Sequence, residues 1–228
     1  MRATGLLPIG GRGSLTFHDV ELEADSFLAK VREHGRPEVR PIDVVVQGVR
    51  VFGAIPGVTE KALVYARLVR TKPKHRLRAF LFHVFAAVQG AATPSQPWPE
   101  RTIVLTKGAP TTLAPLAPSL ASQFAQMLIA GYREGLAQPL PVFEEASEAF
   151  AKALAAQREK ADEDRAQTVA ARAARAAFEA DFSGEYPTGD LIDPDVALCW
   201  RGRDPTRDAK FIGWASTLWG ELLALEKP

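Results

Sequence analysis

Lys61, Arg67, Arg70, Lys72, Lys74, Arg76 and Arg78 put seven positive charges into 18 residues. Between Glu60 and Glu100 no Asp or Glu offsets them. Runs of this kind bind phosphate backbones, because each Lys or Arg that meets a phosphate releases a condensed counterion. Stacking aromatics are not interleaved with the run, so the expected mode is phosphate contact without base reading. The competing expectation is structural: a solvated strand-to-helix loop whose charges pair with Glu144, Glu145, Glu148, Asp162, Glu163 and Asp164 further along.

Other residue groups could in principle do chemistry. Asp190, Asp193 and Asp195 could hold a cation, but around Pro194 they read better as turn-forming residues, and their spacing fits no calcium loop. His75 and His83 lie eight residues apart without a third ligand, which predicts one surface and one half-buried histidine rather than a metal pair. Cys199 beside Trp200 reads as a core thiol. Gly10-Gly11-Arg12-Gly13 lacks the Gly-Lys-Ser/Thr ending of a phosphate-binding loop. No metal or cofactor is expected. Tyr132, Arg133 and Glu134 end a helix, with the two charges solvated and the tyrosine hydroxyl outward, or else touch a partner. Trp214 and Trp219, five positions apart on one helix, cannot both face one core, so one is a candidate interface residue.

The elements that must position these residues follow from pattern. Gly5 to Gly13 reads as a loop and Asp19 to Glu33 as a short amphipathic helix. Ile42–Val46, Val49–Phe52 and Ala62–Val69 are β-branched runs, with Gln47-Gly48 a hairpin junction and Pro56-Gly57 a turn; together they predict an antiparallel meander. Leu77, Phe80, Leu81, Val84 and Val88 make one helical stripe, and Ile103–Leu105 a fourth strand of the same sheet. Beyond it the chain turns helical. Pro118 opens a helix buried through Leu120, Phe124, Met127 and Leu128 and stopped by Gly135; alanine-rich helices span Ala146–Lys160 and Thr168–Phe182, joined by a charged stretch at 159–165. Phe211, Ala215, Leu218, Leu222 and Leu225 stripe a last helix over Asp208–Leu225. The outline is an α/β domain over 1–228, with a sheet-containing core to about residue 110 and a mainly helical part after it.

The bulk numbers suit that outline. The 228 residues are 46% hydrophobic and 24% charged, enough to bury a core without staples. A net charge of +1 carries no argument for nucleic acid, so the placement of charge must. One cysteine excludes an internal disulfide and suits a reducing cytoplasm. The broken N-terminal stretch does not read as a signal peptide, and no apolar run nears the roughly 20 residues of a membrane helix.

The stretch from Ile129 to Phe143, with Gly131-Tyr132-Arg133-Glu134-Gly135 before Pro139-Leu140-Pro141, closely resembles a signature near the end of RecC subunits of exodeoxyribonuclease V. Leu7-Pro8-Ile9-Gly10 with Gly13, Gly48-Val49-Arg50-Val51-Phe52-Gly53, and Ala176-Ala177-Phe178-Glu179 with Gly184-Glu185 resemble further stations of that family, in order. The resemblance implies a restriction-endonuclease-like, PD-(D/E)XK-type core with its catalytic site lost. It also implies partners: RecB-type and RecD-type subunits, the remainder of a RecC chain, and double-stranded or forked DNA at broken ends. RecC proteins are several times longer, so the sequence reads as a fragment or a free-standing relative of their last domain.

A nuclease of that fold needs an Asp at one strand end and an Asp/Glu-x-Lys on the next strand, to hold Mg²⁺ and activate water. Here Gly53-Ala54-Ile55-Pro56-Gly57 and Leu63-Val64-Tyr65-Ala66-Arg67 contain no acid. The expected function is therefore a non-catalytic DNA- and subunit-binding module. Two rivals stand beside it: an interaction scaffold without DNA contact, and a metal-dependent nuclease with a relocated site at Asp190, Asp193 or Glu100.

Overall fold

The computed structural model describes residues 11–158, 162–184 and 186–227. Helix α1 (Gly11–Arg32) precedes strands β1 (Glu38–Val46), β2 (Val49–Val58) and β3 (Leu63–Ala66). Helix α2 (Pro73–Ala92) crosses to β4 (Thr102–Leu105), and β5 (Thr111–Leu113) leads to α3 (Pro118–Gly135), α4 (Glu145–Gln157) and α5 (Glu163–Phe178). The short α6 (Pro194–Cys199) is followed by α7 (Ala209–Trp214), a π-helical turn (Ala215–Trp219), α8 (Gly220–Leu225) and a two-residue strand, β6 (Glu226–Lys227). The six strands form one mixed sheet in chain order. β3 and β4 run parallel, and the other neighbouring pairs are antiparallel. No helix among the described residues is long and apolar enough to cross a membrane.

The hairpin β1–β2 forms where the β-branched runs predict it. Gln47 and Gly48 have φ of 49° and 73°, the pair of positive values that a two-residue hairpin turn with the right twist demands. Alternation then divides the ribbon. Val44 and Val46 enter the main core with Val49 and Val51, while Val45 (70% exposed) and Phe52 (74%) face outward. Pro56 and Gly57 do not turn the chain; they lie inside β2. Gly57 has φ +81°, and a Cβ there would run into the Val64 carbonyl oxygen, so the glycine serves close approach of β2 to β3. The reversal comes later, built on buried Thr59, whose hydroxyl donates to Ala62 O (2.8 Å) and accepts from the Lys61 and Ala62 amides.

β3 and β4 are covered on both faces, as a parallel pair joined by a crossover helix requires. Val64, Ala66, Ile103 and Leu105 pack toward Phe27 and Val31 of α1. Tyr65 and Val104 point the other way, onto Ala79 and Phe82 of α2. Helix α1 begins at Gly11, inside the stretch expected to be a loop; the glycine penalty is smallest in a first turn, where fewer intrahelical bonds depend on it. The rest of that expected loop, residues 5–10, lies outside the described residues.

The main core joins the inner hairpin face to Phe80 and Val84 of α2, Phe124 and Ile129 of α3, and Leu218, Trp219 and Leu222 near the chain end. A second cluster lies among the helices. Ala170, Ala174 and Phe178 of α5 meet Ala146 and Phe150 of α4, with Phe143 and Phe211; small residues at i, i+4 let the two helices approach closely. Asp162 caps α5, accepting from the Arg165 amide at 2.8 Å, so the helix starts at Glu163 rather than Thr168. Residues 159–161 of the expected charged joint lie outside the described residues, as does Glu185.

Two strands were not expected from pattern. β5 and β6 come from the part after residue 110 that was expected to be mainly helical, and they complete the sheet through Leu113↔Glu226 and Thr112↔Lys227. The terminal helix also departs from regular α geometry. In an α-helix, positions 214 and 219 would lie about 140° apart. The π turn inserts an extra residue and brings both tryptophans to the core side. Trp219 is fully buried, and Trp214 packs on Gly131, where a Cβ would collide with its ring. The expectation that one of them is presented outward fails for Trp219, while Trp214 stays half-buried.

Candidate nucleic-acid interface

The basic segment bridges β3 and the start of α2. Its loop is pinned to the end of β4: Arg67 N–H donates to Leu105 O (2.9 Å), Lys107 N–H to Val69 O (2.9 Å), and the Thr71 and Thr106 hydroxyls share a hydrogen bond of 2.5 Å. Pro73 occupies the first turn of α2, where its missing N–H costs nothing. The N-cap, Lys72, is extended and offers no capping side chain, and no acid lies in the first turn. The positive end of a 20-residue helix is thus left open among cations.

Four of the seven predicted residues lie at that end or in the cleft beside it. Burial first, then the charges of Lys74, Arg67, Lys72 and Arg78, holds the His75 imidazole below its ordinary range. Arg67, Lys74 and Arg78 line the same cleft as this ring, and Lys72 borders the neighbouring one beside Lys74. Tyr65 Oη lies 3.3 Å from His75 Nδ1, and the two rings stand 6.3 Å apart. Tyr65, Arg67, Lys74, His75 and Arg78 line a cleft of about 500 Å³ that Glu144 also borders. Burial pushes the Glu144 carboxyl upward, against the pull of Lys74 and Lys72. Tyr65 escaped the sequence reading; His75 was expected only as a surface or half-buried histidine without a role, and Glu144, 66 residues beyond Arg78, was expected only as one of several acids that pair with the basic run.

The other three predicted residues part company. Arg76 sits on the opposite face of α2 with its side chain 11% exposed, in ion pairs with Glu148 and Glu226 and its guanidinium 5.8 Å from the Trp219 ring. It is a structural cation, and the expected pairing with Glu148 holds for this residue. Arg70 lies over the Tyr186 ring at 4.8 Å. Lys61 belongs to the turn before β3, at the far end of that strand from Arg67.

The candidate partner residues also separate. Tyr132 is 63% exposed at the end of α3, with Leu136 exposed one turn on. Arg133 Nη2 donates to Gln47 O (3.3 Å), tying that helix end to the hairpin tip, and Glu134 pairs with Lys210. Trp219 is buried and drops out.

Of the acids expected to form turns around Pro194, Asp193 does so, whereas Asp190 caps a distant helix instead. Asp193 accepts from the Asp195 amide (2.9 Å). Asp190 accepts from the amides of Glu144, Glu145 and Ala146, closing the N-terminus of α4, while Glu145 accepts in return from Gly189. Among the described residues no three His, Cys, Asp or Glu side chains are grouped to hold a metal ion. Cys199 is exposed rather than in the core, because α6 is a six-residue surface helix. His75 is half-buried in the cleft, and His83 is buried, with Nδ1 2.9 Å from Thr102 Oγ1.

Burial drives the His83 imidazole down to about 4. The fold keeps this ring neutral while the unfolded chain takes up a proton near 6.5, so its contribution is complete above that pH and is lost as pH falls through it. From pH 7.5 to 5.5 this group alone lowers the unfolding free energy by about 1.4 kcal/mol. Urea midpoints of the wild type against His83→Gln over that range measure it; matching pH profiles would remove the histidine as the cause.

A family model described as the RecC C-terminal domain matches residues 1–155. The chain belongs to the RecC C-terminal domain family. It is 28% identical over 152 residues to the RecBCD enzyme subunit RecC of Escherichia coli (strain K12), over 66% of this chain and 13% of that protein. The matched span holds β1 to β5, α1 to α3, most of α4 and the whole basic cleft; α5 to α8 lie beyond it.

Proposed function

We propose that the chain is a non-catalytic DNA- and subunit-binding module of a RecC-type subunit of exodeoxyribonuclease V, acting at broken DNA ends beside RecB-type and RecD-type subunits. The observation that carries this reading is the grouping of Lys72 and Lys74 at the uncapped N-terminus of α2, with Arg67 and Arg78 beside Lys74 in the adjoining cleft. Backbone dipoles and side-chain charges there favour the same ligand, a phosphate.

A restriction-endonuclease-like core with a retired site is supported by a mixed sheet with α1 and α2 on opposite faces. The strands that would carry the catalytic acids read Val49–Val58 and Leu63–Ala66, and neither contains an Asp or Glu. The outer hairpin face offers a surface for a subunit: Val39, Val45 and Phe52 are exposed, and Arg133 links the hairpin tip to Tyr132 and Leu136. The Asp43–Arg50 ion pair lies between Val45 and Phe52, so this face offers a partner both apolar and charged contacts.

Fluorescence anisotropy on a forked duplex at several salt concentrations tests the DNA part. If all four cations meet phosphates, Arg67→Ala/Lys72→Ala/Lys74→Ala/Arg78→Ala weakens binding about a hundredfold and flattens the log–log salt slope by about 3.6. Lys61→Ala leaves both nearly unchanged. An unaltered slope in the quadruple variant would leave the interaction-scaffold reading in its place.

A further inference from the structure

We propose that the cleft between the end of α5 and the turn after α6 binds single-stranded nucleic acid, one unstacked base lying against Trp200 and its phosphates on Arg201 and Arg203. The cleft shares no residue with the one at α2 and lies beyond the segment matched by the family, so the two readings stand or fall separately.

Phe178, Leu191, Ala197 and Trp200 form the floor of a cavity of about 480 Å³. Trp200 is half-buried, and Phe143 braces it from within at 5.7 Å with ring planes 76° apart. A braced, partly open indole is the platform on which a base stacks with little ordering cost. Directly after it, Arg203 N–H donates to Trp200 O (3.0 Å), closing a turn that needs the positive φ of Gly202 (71°). The turn carries Arg201 and Arg203 at the rim, both exposed and neither in an ion pair among the described residues. Their planar guanidinium forks suit phosphate oxygens.

The rest of the rim favours a nucleotide over an acidic peptide. Arg175 is already engaged, its Nε 3.0 Å from Glu179 Oε1 and 3.9 Å from Asp204 Oδ2. Thr206 holds Asp204 in turn, its amide and hydroxyl both donating to Oδ1. Glu179 and Asp204 are therefore held at the rim by Arg175 and Thr206, while the Arg201 and Arg203 guanidinium groups are in no ion pair among the described residues. A ligand bearing carboxylates alone would set them against Glu179 and Asp204. A nucleotide carries both complements, phosphates for the two guanidinium groups and base N–H donors that the carboxylates accept.

The probe is a fluorescein-labelled oligodeoxycytidine of about 12 nucleotides, with a 5-iodocytosine version for photocrosslinking to the full chain. Arg201→Glu/Arg203→Glu is expected to weaken binding at least about tenfold and to flatten the log–log salt slope by about 1.4. Thermal unfolding should not change, because both side chains are exposed. The crosslink is expected at Trp200, and it persists when Arg67, Lys72, Lys74 and Arg78 are replaced by alanine. Crosslinks confined to residues 67–78, with unchanged affinity in the Arg201/Arg203 variant, would overturn the proposal and leave the α2 reading standing. Displacement by polyglutamate at equal charge, without a Trp200 crosslink, would overturn it in favour of an acidic protein ligand. No binding of the oligonucleotide to the wild type would overturn it as well.

Discussion

Arg76→Ala is expected to lower the unfolding free energy by roughly 3–5 kcal/mol, with no DNA present. The guanidinium is largely shielded from water and lies between the carboxylates of Glu148 and Glu226, whose side chains are 14% and 13% exposed. Removing it leaves two desolvated negative charges facing each other with Lys152, 3.2 Å from Glu148, as the remaining cation. It also takes the charge away from the Trp219 ring. The cluster ties α2 to α4 and to β6, so its loss loosens the attachment of the last strand to the sheet. Arg76→Lys should recover part of the loss, since a point charge cannot span both carboxylates as the fork does. Urea unfolding followed by tryptophan fluorescence measures this, and a loss below about 1 kcal/mol would assign the cluster the weight of a surface ion pair.

Gly57→Ala should cost at least about 3 kcal/mol, the sum of a disfavoured backbone conformation and a collision that cannot relax locally. The residue holds φ +81° within β2, and its added methyl would meet the backbone oxygen of Val64 rather than a movable side-chain tip. Either β2 lifts off β3 at Val58↔Leu63, the register pair that joins the hairpin to the rest of the sheet, or the glycine position must change conformation. Gly48→Ala is the matched control. It also has positive φ (73°), but a Cβ there meets nothing within 4 Å, so about 1 kcal/mol is expected. Equal losses for the two variants would show that conformation alone matters and that the close approach to Val64 does not.

The legibility of this chain followed the range of the interactions involved. The hairpin, the crossover helix and its fourth strand were readable because alternation, β-branching and a 3.6-residue stripe act within a few residues of themselves. The acid-free basic segment was readable for the same reason, and Arg67, Lys72, Lys74 and Arg78 do lie at or beside the start of α2. Arg76 obeys the same local statistics as its neighbours. Its fate depends on Glu148 and on Glu226, 150 residues away, so nothing near it in the chain distinguishes it. Pro56-Gly57 carries the composition of a turn, yet a glycine suited to positive φ is equally suited to a close strand contact.

The sequence by itself determined the α/β class, the central strands, the absence of acids from β2 and β3, and the place where positive charge accumulates. The tertiary structure decided which cations face solvent, which acids cap helices, and that a π turn draws Trp214 and Trp219 inward. Periodicity and composition constrain a segment against its own neighbours, whereas the direction of a charge or an indole depends on groups that chain folding brings from far away.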